Sequence, residues 1–403
     1  LNWRGLWPFG RKSSTTLDLF REIYGSKTSK SGQTVGLKEA IRCATAFACA
    51  RVIANGVAQV PLKLFAETEG GQRTPARTHP LYRVLHRRPN PWQTSFEFRE
   101  TLGLHLTLAG RAYCYKVIVG GKIRELIPFE PGRVRTTLAE DDMTVIYEVT
   151  GRNGELRRFD ASLIWHVKGP SWVGWESLDA LELAREAVGL SIAAESSQGA
   201  MHRNGMRVPG VYSVEGSLNP QQYKDLRKFL ADNHAGENDG LPMIVDRAAK
   251  WLPLALSGVD AQHLETRRFQ VEEVCRAMGV MPIMVFSSDK AATYASAEAM
   301  FQAHVVHTLA AWWERLEQSI DCNLLSEQDE IDGIYAKFMG NGLMRGSMKD
   351  RSDYFAKALG SGGAPAWMTQ DEVRALEELN PMGGAAQQLP VATNLRPALA
   401  PPA

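Results

Sequence analysis

The chain has 403 residues, with 46 Lys and Arg against 45 Asp and Glu, for a formal net charge of +1. Neutralising many phosphates takes a large basic excess, so a histone-like or tail-type nucleic-acid binder is excluded and any contact with nucleic acid has to be local. Apolar residues at 44% and charged ones at 23% are ordinary globular values, and a chain of this length corresponds to roughly two or three domains.

Residues 1–36, rich in Ser, Thr, Gly and Lys, read as an arm. A helix dense in Ala is expected over 37–58, and Pro61 then opens an extended stretch, PLKLF. Pro89 and Pro91 break the next helical pieces, and Thr94 or Ser95 caps a helix reaching Leu108. From Ala112 to Val167 the apolar period becomes two, as in Tyr113, Tyr115, Val117 and Val119, with Gly120-Gly121 supplying the positive φ of a tight hairpin. This predicts an antiparallel sheet of about five or six strands with one wet face.

Beyond Gly174 the helical period returns, with Leu178, Leu181, Ala184, Val188 and Ile192 in one stripe that stops near Asn204-Gly205. A β-α-β insert follows, its helix begun by Asn219-Pro220. Ser257 and Asp260 then cap a second long helix, which ends at Gly279. FSSDKAATYAS, from Phe286 to Ser296, has one Lys and no apolar period and reads as an exposed loop. Ser296 caps the longest expected helix, which carries Val305, Leu309, Trp312, Leu316 and Ile320 on one face as far as about Leu325. Short helices are expected over 347–360 and 369–379, and the tail beyond Pro381 reads as low-complexity and disordered.

Five scattered cysteines (Cys43, Cys49, Cys114, Cys275 and Cys322) without a C-x-x-C pair favour buried thiols in a reducing compartment over a disulfide or zinc framework. The uncharged, largely apolar run Ala299 to Trp313 falls short of the ~20 apolar residues of a bilayer span. LNWRGLWPFGRK lacks the apolar core and cleavage site of a signal peptide. No P-loop, G-x-G-x-x-G cradle or G-x-S-x-G elbow is present. His304 and His307 form an H-x-x-H on the long helix, but the pattern lacks an acidic third ligand, and core histidines are expected instead. Glu140, Asp141 and Asp142 share one hairpin turn, whereas two-metal catalysis needs carboxylates from separate elements. No catalytic residue, cofactor or metal is therefore expected, and a structural or translocating role gains by elimination.

An ordered set of stretches carries more. TAFACARVIANGVAQVPLKLF, HPLYRVLHRRPNPWQTSFEFRE, LAGRAYCYKV, LIPFEPGRVR, ASLIWHVKG and the run from HLETRRFQVEEVCRAMGVMPIMV through ATYASAE to WWERLEQSIDCNLLS together resemble the HK97-type portal proteins of tailed bacteriophages, prophages and gene transfer agents. The resemblance spans roughly Ala40 to Leu325 and rests on order and spacing, since each motif alone is weak. One departure is that Thr293 and Tyr294 are followed by Ala295, Ser296, Ala297 and Glu298, where the family loop often reads T-Y-S-N-x-E, so no role of the usual Asn carries over.

The resemblance implies an α+β portal fold and no enzyme. Its parts would be an arm (1–36), an antiparallel β wing with helices (37–176), stem helices (177–205 and 258–284) around a small α/β clip (206–257), a tunnel loop (285–296), a long wing helix (297–325), a helical crown (326–380) and a disordered tail (381–403). It implies a dodecameric ring at one capsid vertex, assembled in the host cytoplasm. Double-stranded DNA would be packaged and ejected through that ring, and the terminase motor, the head-completion adaptor and the major capsid protein would be partners, with no membrane. Ser287, Ser288, Lys290, Thr293 and Tyr294 would line the DNA channel; Arg207, Lys224, Arg227 and Lys228 would face partners at the clip; Arg267, Arg268 and Glu272 would meet the neighbouring subunit on the stem. Two other readings stand beside it: a capsid or connector component without a packaging role, and a metal-dependent hydrolase built on His304 and His307.

Overall fold

A computed structural model describes residues 27–67, 71, 73–141, 143–151, 153–203, 210–214, 219–221, 223–225, 249–253, 259–286, 294–340, 348–361, 365–377 and 379–390. Its first compact unit runs to Phe338 and its second begins at Met339. The architecture is the expected mixture of helices and antiparallel sheet.

A short ribbon, β1 (Lys27–Thr28) with β2 (Thr34–Val35), leads into α1 (Leu37–Arg42) and α2 (Ala44–Gln59). The single helix expected over 37–58 is thus two. Cys43 adopts an extended conformation at φ −71°, ψ 112° and is both the C-cap of α1 and the N-cap of α2. The break lets Ala40, Cys43, Ala46 and Ala50 all reach one core with Val35 and Val188.

β3 (Leu62–Glu67), β4 (Arg73–Pro75) and α3 (Pro80–His86) follow, then α4 (Ser95–Ala109), where Thr94 and Glu97 form a reciprocal capping box and Gly110 ends the helix at φ 72°. The small residues of α2 let neighbours come close. A Cβ on Gly103 of α4 would stand 2.7 Å from the Ala54 Cα, and one on Gly56 would stand 2.5 Å from a Leu309 methyl carbon. Helix α2 is therefore the hub, packed on α4 at one side and on the later long helix at the other.

β5 (Arg111–Val119), β6 (Lys122–Phe129), β7 (Val134–Leu138), β8 (Val145–Thr150), β9 (Leu156–Asp160) and β10 (Ile164–Lys168) are the six strands of the alternating region. They form two three-stranded sheets, ordered β10-β5-β6 and β7-β8-β9, rather than one. A 3₁₀ turn at Pro131–Arg133 takes the chain out of the first sheet, and β10 returns to pair with β5 with Trp165 opposite Cys114. The sheets share a core of Tyr113, Val134, Tyr147, Val149 and Ile164, in which the Tyr113 hydroxyl meets Thr136 Oγ1 at 2.8 Å. In the acidic hairpin turn, the Asp141 carboxylate accepts from Thr144 Oγ1 and the backbone N–H groups of Met143 and Thr144. That is a structural turn, and these bonds hold the Asp141 carboxyl below its usual range.

Next come α5 (Ala180–Arg203), the antiparallel pair β11 (Gly210–Val214) and β12 (Ala249–Pro253), and α6 (Val259–Met278). The expected start of α5 at 177 is three residues early, because Asp179 Oδ1 accepts from the N–H of Leu181 (3.0 Å) and Glu182 (3.1 Å) and so caps a helix that begins after it. The long helix is continuous in three parts: α7 (Tyr294–His304), a π turn (Val305–Leu309) and α8 (Ala310–Leu324). At 1.5 Å per residue it spans about 45 Å. Its inward residues Trp313, Leu316 and Ile320 are buried, each contributing about 1.5–3 kcal/mol of apolar burial. Trp165 Nε1 donates to Ser319 at 2.9 Å and Trp313 Nε1 to the Gly56 carbonyl at 3.3 Å, pinning the helix to sheet and hub.

The stretch 326–380, expected as a helical segment, divides at Phe338. After α9 (Glu327–Ile331), β13 (Ile334–Phe338) pairs antiparallel with β3, Ala336 opposite Leu64. The buried Glu317 carboxylate fixes its end by accepting from the Phe338 N–H (2.7 Å) and Lys337 Nζ (2.5 Å). The second unit contains α10 (Met348–Ala358) and α11 (Gln370–Leu376). Disorder was expected from 381, yet Asp371 accepts from the N–H groups of Met382 and Gly383 and a 3₁₀ turn follows at Gly384–Gln387, so the chain is ordered there. Residues 391–403 lie outside the described residues.

Candidate functional site

The pair α5 and α6 is rooted in the hub core and then leaves it. At the foot, Gly110 takes its left-handed turn where a Cβ would stand 2.1 Å from the Leu178 carbonyl oxygen. Arg111 reaches Glu176 (3.3 Å) and Asp179 (3.8 Å) beside it. Leu181, Ala184 and Val188 of α5 and Val274 of α6 are buried with Leu108 and Ala50. Burial then ends: Ser191 and Gln270 are buried, while Glu195, Ser196 and Ser197 on α5 and Glu265 to Phe269 on α6 are exposed. In that outer half Arg267 Nη1 donates to Gln198 Oε1 at 2.5 Å, one helix holding the other.

The outer faces of this stalk are not those of a finished surface. Leu183 (68% exposed) and Leu190 (49%) lie seven residues apart on α5, and Phe269 of α6 is 57% exposed. That spacing is the apolar seam of a helix that packs on another helix. At the foot a groove of about 400 Å³ is lined by Leu178, Leu183, Met278, Thr308, Trp312 and Arg315. Met300, Phe301 and Val306 on the long helix are also exposed.

Between α6 and α7 the chain passes a 3₁₀ turn, Pro282–Val285, that ends on Phe286 at φ 62°, ψ 21°. Phe286 is the one non-glycine residue with positive φ among the described residues, and its ring is 93% exposed. The expected loop 285–296 gives up its last residues to α7, whose start at Tyr294 precedes the expected cap at Ser296 by two; Ala295 and Ala297 favour the earlier helix.

Of the predicted site residues, Ser287, Ser288, Lys290, Thr293, Arg207, Arg227 and Lys228 lie outside the described residues, and Tyr294 is the first residue of α7. Lys224 is exposed on the helical stretch after Asn219. Arg267, Arg268 and Glu272 are exposed on α6, with Arg267 already bonded to Gln198 of its own chain. Arg268 and Glu272 stand one turn apart. His304 is 2% exposed with both ring nitrogens unpartnered, and burial keeps its imidazole below the usual range. His307 is exposed, against the expectation of two core histidines, because the π turn places it on the solvent side. No group of three His, Cys, Asp or Glu gathers as metal ligands among the described residues, and no described helix is long and apolar enough to cross a membrane.

The family model for phage portal proteins matches residues 44–378, most of the chain. The chain belongs to the phage portal protein family. The portal protein of Enterobacteria phage HK97 is 26% identical over 361 residues, covering 87% of this chain and 83% of that one. The probable portal protein of Streptomyces phage phiC31 is 26% identical over 414 residues, covering 97% and 89%. In fold, the chain is similar to one from the neck of the native gene transfer agent particle computed with C12 symmetry, at 23% identity and a TM-score of 0.54, covering 93% and 96%.

Within this portal-family chain, the exposed seam Leu183–Leu190 runs beside the buried stripe of α5, which dominates the apolar pattern of the sequence. The signal was there as a second heptad, Leu183, Ala187, Leu190 and Ala194, offset from the first. Nothing local foretold Phe286, since positive φ at a phenylalanine contradicts propensity.

Proposed function

We propose that this chain is a ring subunit at a capsid vertex, through which double-stranded DNA is packaged and later ejected. The observation that carries the reading is the stalk of α5 and α6, which leaves its own core with Leu183, Leu190 and Phe269 uncovered. A closed ring needs two different, complementary faces on each subunit, and a two-helix stalk with an uncovered apolar seam supplies one of them. Family membership and the twelvefold neck of a similar fold support the same arrangement.

In this reading α5 and α6 are the stem, the insert 206–257 is the clip on which the terminase motor and then the head-completion adaptor dock, and 285–296 is the tunnel loop. Ser287, Ser288, Lys290, Thr293 and Tyr294 face the DNA; Arg207, Lys224, Arg227 and Lys228 face partners at the clip; Arg268 and Glu272 meet the neighbouring stem. The role is steric and electrostatic, not catalytic. A channel must let DNA slide, and each phosphate contact adds affinity that slows it, so one lysine per loop repeated around a ring is a weak girdle.

Negative-stain imaging with native mass measurement tests this. Annular particles with a central hole, and a mass near twelve times the 44.6 kDa chain, are expected at assembly concentrations. Compact particles without a hole would favour the capsid or connector alternative.

A further inference from the structure

Cys49 on α2 and Cys275 on α6 are 226 residues apart in sequence, yet their Sγ atoms stand 3.7 Å from one another, with both residues 0% exposed. The other cysteines are placed differently. Cys43 meets Ser191 on α5, Cys114 is buried on β5, and Cys322 is exposed on α8. Two thiols from separate helices, in contact at 3.7 Å and closed off from water, are placed to form a bond if the sulfurs close to the ~2.05 Å of a disulfide. We propose that Cys49 and Cys275 are a disulfide site that, on reaction with a peroxide-class oxidant, ties the foot of α6 to the hub helix α2.

The order of events follows from the contact. Either thiol can donate across the contact; the contact lowers the Cys275 thiol, whereas the same contact and burial push Cys49 up. Cys275 is then the nucleophile. Its thiolate sulfur attacks one oxygen of hydrogen peroxide, the O–O bond breaks, and the departing hydroxide takes up the proton that the thiol released, forming water and leaving Cys275 as a sulfenic acid. The Cys49 sulfur attacks the Cys275 sulfur, the S–S bond forms, the S–O bond breaks, and the leaving hydroxyl carries off the Cys49 proton as a second water. The two thiols lose two electrons and the peroxide gains them. Both thiols are 0% exposed, so the oxidant reaches them only when the α6 foot opens from α2.

The consequence is mechanical. Met278 and Val274, at the end of α6, belong to the core in which the stalk is rooted. A covalent tie there fixes the stalk to the hub and closes a long loop, restricting the unfolded chain. The bond itself needs no ring. Its use in a released particle, where a stalk assembled flexible in a reducing cytoplasm becomes rigid outside it, rests on the function proposed above.

Peptide mapping of the full chain tests the site without reference to assembly. The protein carrying Cys322→Ser, with the unmodified chain alongside, is exposed to hydrogen peroxide at neutral pH, alkylated in denaturant and digested without reductant. A cross-linked pair joining Cys49 and Cys275 is expected, with the thiol titre of the Cys322→Ser protein falling from four to two, and with a rise in melting temperature that dithiothreitol reverses. Cys275→Ala should lose the cross-link and the rise together. Four thiols surviving the oxidant, Cys275 over-oxidised without a cross-link, or a bond from Cys49 to Cys43 would each overturn it, whether or not rings are seen.

Discussion

Lowering the pH from 7.5 to 5 should destabilise the protein through His166. The imidazole is 6% exposed on β10, stacked on the Tyr113 ring at 4.5 Å, with Nδ1 3.2 Å from the Tyr147 hydroxyl and Nε2 buried without a partner. Burial, and then the positive charges of Lys168 and Arg111, push its pKa down to about 3, whereas an unfolded histidine titrates near 6.5. The sign follows directly. Above pH 6.5 both states are neutral and stability is full; below it the unfolded state takes a proton that the folded state refuses, and the loss grows until the folded pKa is reached. At pH 5 the difference is RT ln(1 + 10^1.5), about 2 kcal/mol from this one group. His105, pushed down by burial to about 4, acts in the same direction, so a variant is needed to isolate the contribution. Urea unfolding followed by tryptophan fluorescence at both pH values suits the question, because the buried Trp165 adjoins the site. The stability lost between the two pH values should be about 2 kcal/mol smaller in His166→Gln than in the wild type. Equal losses in the two proteins would refute the claim that His166 is held neutral.

Three further variants probe the packing and the proposed ring. Leu183→Ser with Leu190→Ser removes two exposed side chains, so the melting temperature of the monomer should hold within a few degrees while the ring population in native mass measurements falls at least tenfold. Gly103→Ala drives a methyl into the Ala54 backbone at 2.7 Å and should cost about 1–3 kcal/mol in a denaturant titration. Phe286→Gly relieves the left-handed conformation of an L side chain at φ 62°, which should raise stability by about 1 kcal/mol in the same assay if the exposed ring makes no compensating contact.

What could be read in the sequence was whatever local chemistry decides. The cap at Thr94, the Gly120-Gly121 hairpin and the stripe members Leu181, Ala184 and Val188 depend on near neighbours and are found as expected, whereas Leu178, expected in the same stripe, lies before the helix and is exposed. The split of one sheet into two and the capture of β13 by β3 depend on partners far along the chain. The IYAKF strand has too little alternation to announce itself, and its anchor is a glutamate on another element, Glu317. The break at Cys43 escaped for a related reason. An alanine-rich run says helix throughout, and only the position of the core says where it must turn. At the candidate site the residue types singled out on α6 are exposed, but one of them, Arg267, has a partner within its own chain, which exposure patterns in a sequence cannot reveal.

The near-zero net charge takes on a sharper meaning once the stalk is in view. Among the described residues, its exposed outer half carries Glu195 on α5 and Glu265, Arg267 and Arg268 on α6, two acidic and two basic residues, with one arginine held by Gln198. Symmetry multiplies whatever imbalance a subunit has. In a twelvefold ring a single extra lysine becomes twelve, and each neutralised phosphate steepens the salt dependence of binding by about 0.9. A chain with a surplus of even three or four basic residues on that surface would therefore grip DNA where it should slide. Balance along the stalk is the charge pattern that the proposed ring-shaped conduit requires. Substituting Glu195 by Lys should accordingly slow passage of DNA at low salt more than at high salt, even though it alters one residue per subunit.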